Sequence, residues 1–284
     1  MKLEELIAKG RFNEIYKSGN LAVKVFNEGY SKADVMNEAY VASRIEEIGL
    51  NIPKVKEVVE IDGKLAMTMD LIEGKTLLQL MEEDPDNVEA YVDQMVDIQL
   101  DMHSKRCPNL PKLKDKLMDR INNSGLDATK KYELLTILDG APKHKKVCHG
   151  DFTPQNIIIS DGVPYIIDWN HATQGNASAD VARSYLWLCL YDAKIADMYL
   201  DKFCEKSKTA KRYVQQWLPV VAAARLSKHV PGEEELLQKW IDVGKEVSLS
   251  FYILLLVPVR QIAYTKVVET RVNDLKQAWR VYVI

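Results

Sequence analysis

The sequence predicts an α+β protein made of a small β-rich lobe with one helix and a larger, mainly helical lobe. Three observations lead there. Up to about residue 73, short runs of β-formers alternate with turn residues. From Lys75 onward, apolar residues recur mostly at helical spacing. Only 13 Gly and 10 Pro in 284 residues leave few interruptions, which favours helix. The expected division is 1–73 for the first lobe, with a hinge near 70–74, and 75–284 for the second.

Leu21-Ala-Val-Lys-Val-Phe26 alternates as a strand. Ser31 is placed to cap a helix running to Ile48, whose apolar face carries Val35, Ala39, Val41, Ala42, Ile45 and Ile48. Val55–Ile61 and Leu65–Leu71 read as a strand pair turning at Asp62-Gly63. Val88 to His103 has helical periodicity through Tyr91, Val92, Met95, Ile98, Gln99 and Met102. Further helices are expected over 110–123, 127–138, 180–206, 208–229, 233–256 and 257–280. One interruption, Lys146 to Trp169, reads as a strand, a loop and a hairpin. There is no internal repeat.

Composition narrows the function. An apolar fraction of 47% and a charged fraction of 28% fit a globular chain rather than a disordered one. Thirty-eight basic and 41 acidic residues give a net charge of −3, against the basic surplus of a nucleic-acid binder. Cys107, Cys148, Cys189 and Cys204 form no C-x-x-C pair and read as reduced cytoplasmic thiols. Glu4 and Glu5 stand where a signal peptide needs a basic start. The longest apolar stretch, Phe251 to Val259, is too short for a bilayer. The expectation is a cytoplasmic protein with no membrane and no nucleic-acid partner; its oligomeric state stays open.

The chemistry concentrates in His149-Gly150-Asp151-Phe152-Thr153-Pro154-Gln155-Asn156, followed by Ile157-Ile158-Ile159, the turn at Asp161-Gly162, and Tyr165-Ile166-Ile167-Asp168-Trp169. Centring the hairpin on Asp161-Gly162 puts Asn156 opposite Ile167 and beside Asp168, with Asp151 just upstream. An amide oxygen and a carboxylate meeting there suit Mg²⁺, a hard cation that keeps water and phosphate oxygens as its other ligands. Asp151, outside that shell, is placed to accept the proton of a hydroxyl attacking a γ-phosphate. Each residue alone reads as a turn cap, a loop amide or a strand end; the three in this register read as a site.

The run HGDFTPQN followed by IIDW resembles the aminoglycoside phosphotransferase and choline kinase group of the protein-kinase-like fold. The resemblance implies a bilobal kinase fold, an ATP and Mg²⁺ cofactor pair, Asp151 as catalytic base, and Asn156 and Asp168 as metal ligands. It makes His149 a scaffold beneath the loop. It also implies that Lys24, in Ala22-Val-Lys-Val25, contacts the α- and β-phosphates and pairs with Glu38 of the following helix. Gly10 and Asn13, in Lys9-Gly-Arg-Phe-Asn13, match the Gly-x-x-Asn of the nucleotide-covering loop, although one Gly stands where protein kinases have three. Asp70, Leu71 and Ile72 correspond to the hinge that binds adenine through backbone groups, with Met67 and Met69 as an apolar wall. Asp180, in Asp-Val-Ala, is expected to cap a helix and brace the catalytic loop. The stretch between Asp168 and Asp180 is too short for a peptide-docking segment, so the expected acceptor is a small-molecule hydroxyl.

The acceptor is not legible. Aminoglycosides, choline or ethanolamine, and sugars or fructosamines remain alternatives, as does a kinase-like nucleotide-binding module without turnover. The ending Trp279 to Ile284 lacks the acidic side chain of some aminoglycoside enzymes. Trp187 and Tyr191, four apart on a helix, read as core before cage. Lys143-His-Lys-Lys146 reads as a solvated face, Glu233 to Glu235 as a helix opening that favours the dipole, and His171 as a neighbour of the site.

Overall fold

The computed structural model describes residues 2–10 and 12–242. They begin with β1 (Glu5–Lys9), β2 (Asn13–Ser18), β3 (Leu21–Phe26), α1 (Lys32–Glu46), β4 (Val55–Ile61) and β5 (Lys64–Asp70). Then come β6 (Lys75–Thr76), α2 (Leu77–Glu83), α3 (Val88–Ser104), α4 (Leu113–Asn122), α5 (Ala128–Gly140) and β7 (Lys146–Cys148). The hairpin is β8 (Ile157–Ser160) and β9 (Val163–Ile166), followed by β10 (Thr173–Gly175). Helices α6 (Ala177–Tyr191), α7 (Ala193–Ser207), α8 (Lys211–Gln215), α9 (Leu218–Leu226) and α10 (Glu234–Asp242) complete the described chain. Two compact units result, one of 2–110 with 149–173 and one of 111–148 with 174–242.

In the first unit, five antiparallel strands form a sheet in the order β1-β2-β3-β5-β4. The two-residue period of β3 sorts its side chains. Val23 and Val25 join Ala66 in one buried cluster, against Leu3, Tyr16, Val59 and Ile61. Phe26 faces the other way and packs with Val35 of α1 and Met67 of β5, each side chain contributing about 1.5–3 kcal/mol by its burial. Lys24 shares that second face. The side chain of Ser31 accepts the Asp34 N–H at 3.2 Å and starts α1, which buries Val35, Glu38, Val41, Ala42 and Ile45. Asp62 and Gly63, both at positive φ, make the tight turn between β4 and β5. Strands β6, β8 and β9 form a second sheet, and Thr76 opens α2 with a reciprocal capping box to Gln79.

The second unit is helical, with four departures from the sequence reading. The helix expected over 180–206 is two. Asp192 adopts an extended backbone, and its carboxylate accepts the N–H groups of Lys194 and Ile195, ending α6 and starting α7. The helix expected over 208–229 is also two, because Pro219 has no N–H to offer the carbonyl of Gln215, the last residue of α8. Asp180 is not a cap: Asn176 caps α6 by accepting the Ser178 N–H at 2.9 Å, and Asp180 lies buried inside the first turn. Glu233 precedes α10 instead of opening it, and its buried carboxylate takes Arg225 Nε and Nη2 at 2.7 Å each. The helix expected over 233–256 is described only to Asp242, and the one over 257–280 lies outside the described residues. Among the described residues no helix is long and apolar enough to cross a membrane.

Candidate active site

Every residue assigned to the nucleotide, metal or catalytic site from the sequence lies in the first unit; Asp180 lies in the second. The strand period turns Lys24 inward, where Phe26 and Met67 are already packed, so its ammonium is 4% exposed and needs charged partners. It finds two. Lys24 Nζ donates to Glu38 Oε1 at 2.5 Å and to Asp168 Oδ1 at 3.2 Å. Burial by itself would lower the Lys24 pKa; the charges of Asp168 and Glu38, with their hydrogen bonds, outweigh it and hold the ammonium above its ordinary range. Burial pushes the Glu38 carboxyl up, Asp168 adds to this, and Lys24 pulls it back. Asp168 sits at φ 61° and ψ 62°, a left-handed conformation that costs a non-glycine residue about 1 kcal/mol.

The segment from His149 to Trp169 forms one hydrogen-bonded assembly. Ile157 pairs with Ile166, and the Ile167 N–H donates to the Asn156 carbonyl at 3.0 Å, so Asn156 faces Ile167 in the expected register. Asn156 Nδ2 donates to the Asp151 carbonyl at 2.9 Å, which leaves Oδ1 as the acceptor atom it can present. The Asp151 N–H donates to His149 Nδ1 at 3.1 Å; that nitrogen therefore carries the lone pair, and Nε2–H donates to the Ile167 carbonyl at 2.9 Å. The imidazole also lies 4.6 Å from the Trp169 ring, whose Nε1 donates to the Ile166 carbonyl. His149 thus joins the loop bearing Asp151 to the strand that delivers Asp168. The Ile166 N–H donates to Asn51 at 3.0 Å, tying the α1–β4 connection to the same strand. Gly150, at φ +79°, lies so close to His171 that a Cβ would stand 2.6 Å from its carbonyl oxygen.

The Gly10 N–H donates to the Asn13 carbonyl at 2.8 Å, and Asn13 is buried with its Oδ1 unpartnered. At the hinge, the Asp70 N–H is taken by Lys54 and the Leu71 N–H by Asn20, both at 3.1 Å, while the Ile72 N–H has no backbone partner among the described residues. Met67 belongs to the core with Phe26 and Val35, and only Met69 is partly open. Trp187 is buried with its ring stacked 5.7 Å from Tyr191, a packed pair.

Among the described residues no three His, Cys, Asp or Glu side chains cluster as a metal site. Asp168 and Asn156 nevertheless fit Mg²⁺, which binds one or two carboxylates together with phosphates and water, and both offer hard oxygen. Sequence reasoning missed three groups. Thr153 Oγ1 and Asn170 Oδ1 are buried without partners, and Tyr30 packs between Phe12 and Phe26. For the first two the only signal was proximity to the Asp151 and Asp168 motifs; Tyr30 had none.

The model of the phosphotransferase enzyme family matches residues 7–217. Among solved structures, a thermostable mutant of the aminoglycoside phosphotransferase APH(4)-Ia, in ternary complex with ADP and hygromycin B, superposes with a TM-score of 0.65 at 14% identity, covering 87% of this chain and 94% of that one. Choline kinase LicA from Streptococcus pneumoniae gives 0.60 at 16%, covering 85% and 92%. An aminoglycoside-3'-phosphotransferase of type VIII gives 0.57 at 17%, covering 80% and 92%. At these identities the likeness is one of fold, the bilobal kinase-like fold. A search of curated proteins finds no match.

Proposed function

The chain belongs to the phosphotransferase enzyme family, and from that premise we propose that it moves the γ-phosphate of ATP, with Mg²⁺, to a hydroxyl of a small polar molecule. The observation that carries this is the buried Lys24, paired with Glu38 and reaching Asp168 at the end of the hairpin that carries Asn156. A lysine so deeply buried and doubly paired serves as a fixed positive charge, the element a triphosphate requires.

In the reaction, Asp151 accepts the proton of the acceptor hydroxyl as its oxygen bonds to the γ-phosphorus. The bond to the β–γ bridging oxygen breaks and ADP leaves with that electron pair. Lys24 binds the α- and β-phosphates, and Glu38 keeps it aimed. Asn156 and Asp168 hold Mg²⁺, which when bound neutralises charge on the phosphate oxygens. His149, with both ring nitrogens committed to backbone groups, is a scaffold and not a proton carrier. Gly10 and Asn13 lie along the phosphates. Of the hinge residues Asp70, Leu71 and Ile72, the Asp70 carbonyl and the Ile72 N–H are the pair for the adenine edge, since the Asp70 and Leu71 N–H groups are already committed.

On this reading residues 1–73 act as the nucleotide lobe, 70–74 as the hinge, and 75–284 as the catalytic and acceptor-binding lobe. The protein works in the cytoplasm on a small-molecule partner. The test is a panel of aminoglycosides, choline, ethanolamine, sugars and fructosamines screened for acceptor-stimulated ADP release. Stimulation by one class identifies the acceptor. Binding of ATP with no transfer to any compound replaces this reading with that of a nucleotide-binding module.

A further inference from the structure

Phe12 precedes β2 with 52% of its surface exposed. Its ring lies 6.2 Å from that of Tyr30, which stacks on Phe26 at 4.9 Å with an interplanar angle of 26°. Phe26 is 2% exposed, and the Lys24 ammonium lies 5.7 Å from its centroid. Backbone bonds run alongside the rings: the Asn27 N–H donates to the Phe12 carbonyl at 2.9 Å, and the Tyr30 N–H to the Asn27 carbonyl at 3.1 Å. A line of contacts therefore joins a residue of the covering loop to the lysine two positions before Phe26.

We propose that Phe12, Tyr30 and Phe26 form an aromatic brace that holds the entry to β2 in register with Lys24, which makes Tyr30 a positioning residue for the phosphate tail of the nucleotide. The inference rests on the nucleotide reading of this site. The ladder of β2 with β3 begins at Asn13 opposite Phe26; just upstream, the Phe12 carbonyl takes the Asn27 N–H and the Gly10 N–H goes to the Asn13 carbonyl, and the ring contacts of Phe12 add to these backbone bonds. Tyr30 reaches both Phe12 and the core ring Phe26. It also lies in the field of the site's charges. Burial raises its hydroxyl pKa first, Glu38 adds to this, Lys24 opposes it, and Asp34 and Asp168 contribute smaller rises. The brace thus ends among the groups that hold Lys24.

The experiment uses the full chain and three variants: Tyr30→Leu, Tyr30→Phe and Phe12→Leu. Amide hydrogen exchange of Gly10 and β2 is read against β4 and β5, and calorimetry gives dissociation constants for ATP and for adenosine, which lacks the phosphates. An aromatic contact of this kind is worth roughly a 2- to 10-fold change in an equilibrium. Tyr30→Leu and Phe12→Leu are each expected to speed exchange at Gly10 and β2, and to weaken ATP by about that factor, with adenosine unchanged. Tyr30→Phe keeps the ring and restores both readouts, and the double Leu variant is no worse than either single one. Phe12 is half exposed, so Phe12→Leu keeps the test alive if Tyr30→Leu fails to fold. Unchanged exchange, equal loss of ATP and adenosine, or additive effects in the double variant would each overturn the brace while leaving the proposed reaction standing. A wild-type chain that binds no nucleotide overturns the reaction and the positioning role together.

Discussion

Gly150 separates His149 from Asp151, and its replacement by alanine gives a sharp test of how the loop is held. Two penalties are calculable. The residue sits at φ +79°, where a side chain costs about 1–2 kcal/mol. The new Cβ would also lie 2.6 Å from the His171 carbonyl oxygen and 3.1 Å from its Cβ, against contacts of at least about 3.0 Å that real Cβ atoms show. Backbone opposes backbone here, so the loop must move by several tenths of an ångström. Gly162 provides the control: it has φ +80° but no atom within 4 Å of an added Cβ, so Gly162→Ala carries the conformational cost alone. Gly150→Ala should therefore lose roughly 2–3 kcal/mol of stability in denaturant unfolding, against about 1 for Gly162→Ala. Because Asp151 and Asn156 ride on the displaced loop, Gly150→Ala should also lower acceptor-dependent ADP release by about 10- to 100-fold, while Gly162→Ala keeps it. Equal stability losses with activity intact in both variants would refute the claim that the close approach to His171 positions the catalytic loop.

Three further outcomes can be checked. Glu38→Gln removes one of the two partners of a buried lysine; with Asp168 still 3.2 Å away, the loss should fall below the 3–5 kcal/mol of a fully orphaned charge, at about 1–3 kcal/mol by urea unfolding, with a higher KM for ATP. Asp168→Ala should weaken ATP binding in calorimetry with Mg²⁺ present and change it little with Mg²⁺ absent; equal losses would remove Asp168 from the metal site. Burial, then the charge of Asp180, lifts the Cys148 thiol well above its ordinary value near 9. A raised folded pKa gives stability that is complete below pH 9 and is lost as pH rises through the folded value. The fall above pH 9 should approach 1.4 kcal/mol per pH unit from this residue and be absent in Cys148→Ala.

The hairpin was legible because two local rules agree: Asp161-Gly162 demands a tight turn with both residues at positive φ, and period-two pairing then fixes Asn156 against Ile167. Lys24 and Glu38 were legible by their order ahead of that motif, and Ser31 by its chemistry as a cap. What escaped depends on partners distant in sequence or on backbone alone. The apolar periodicity runs unbroken through 180–206, so nothing signalled that Asp192 would turn its carboxylate onto two following N–H groups. Glu233 resembled its neighbours until Arg225 was found beside it. Which hinge N–H groups are committed follows from the positions of Asn20 and Lys54, which no side-chain pattern encodes. Tyr30 meets Phe12 only because the ladder places Asn13 opposite Phe26, a register with no turn motif to announce it.

In the proposed reaction Asp151 takes the proton during transfer of the γ-phosphate to an alcohol. Phosphorus NMR of wild type and Asp151→Asn, incubated with ATP, Mg²⁺ and the acceptor found in the panel, tests it alongside calorimetry of ATP binding. Wild type should give a phosphate ester and ADP in equal amounts, and Asp151→Asn none at unchanged ATP affinity. A variant that forms the ester at near-native rate would contradict it.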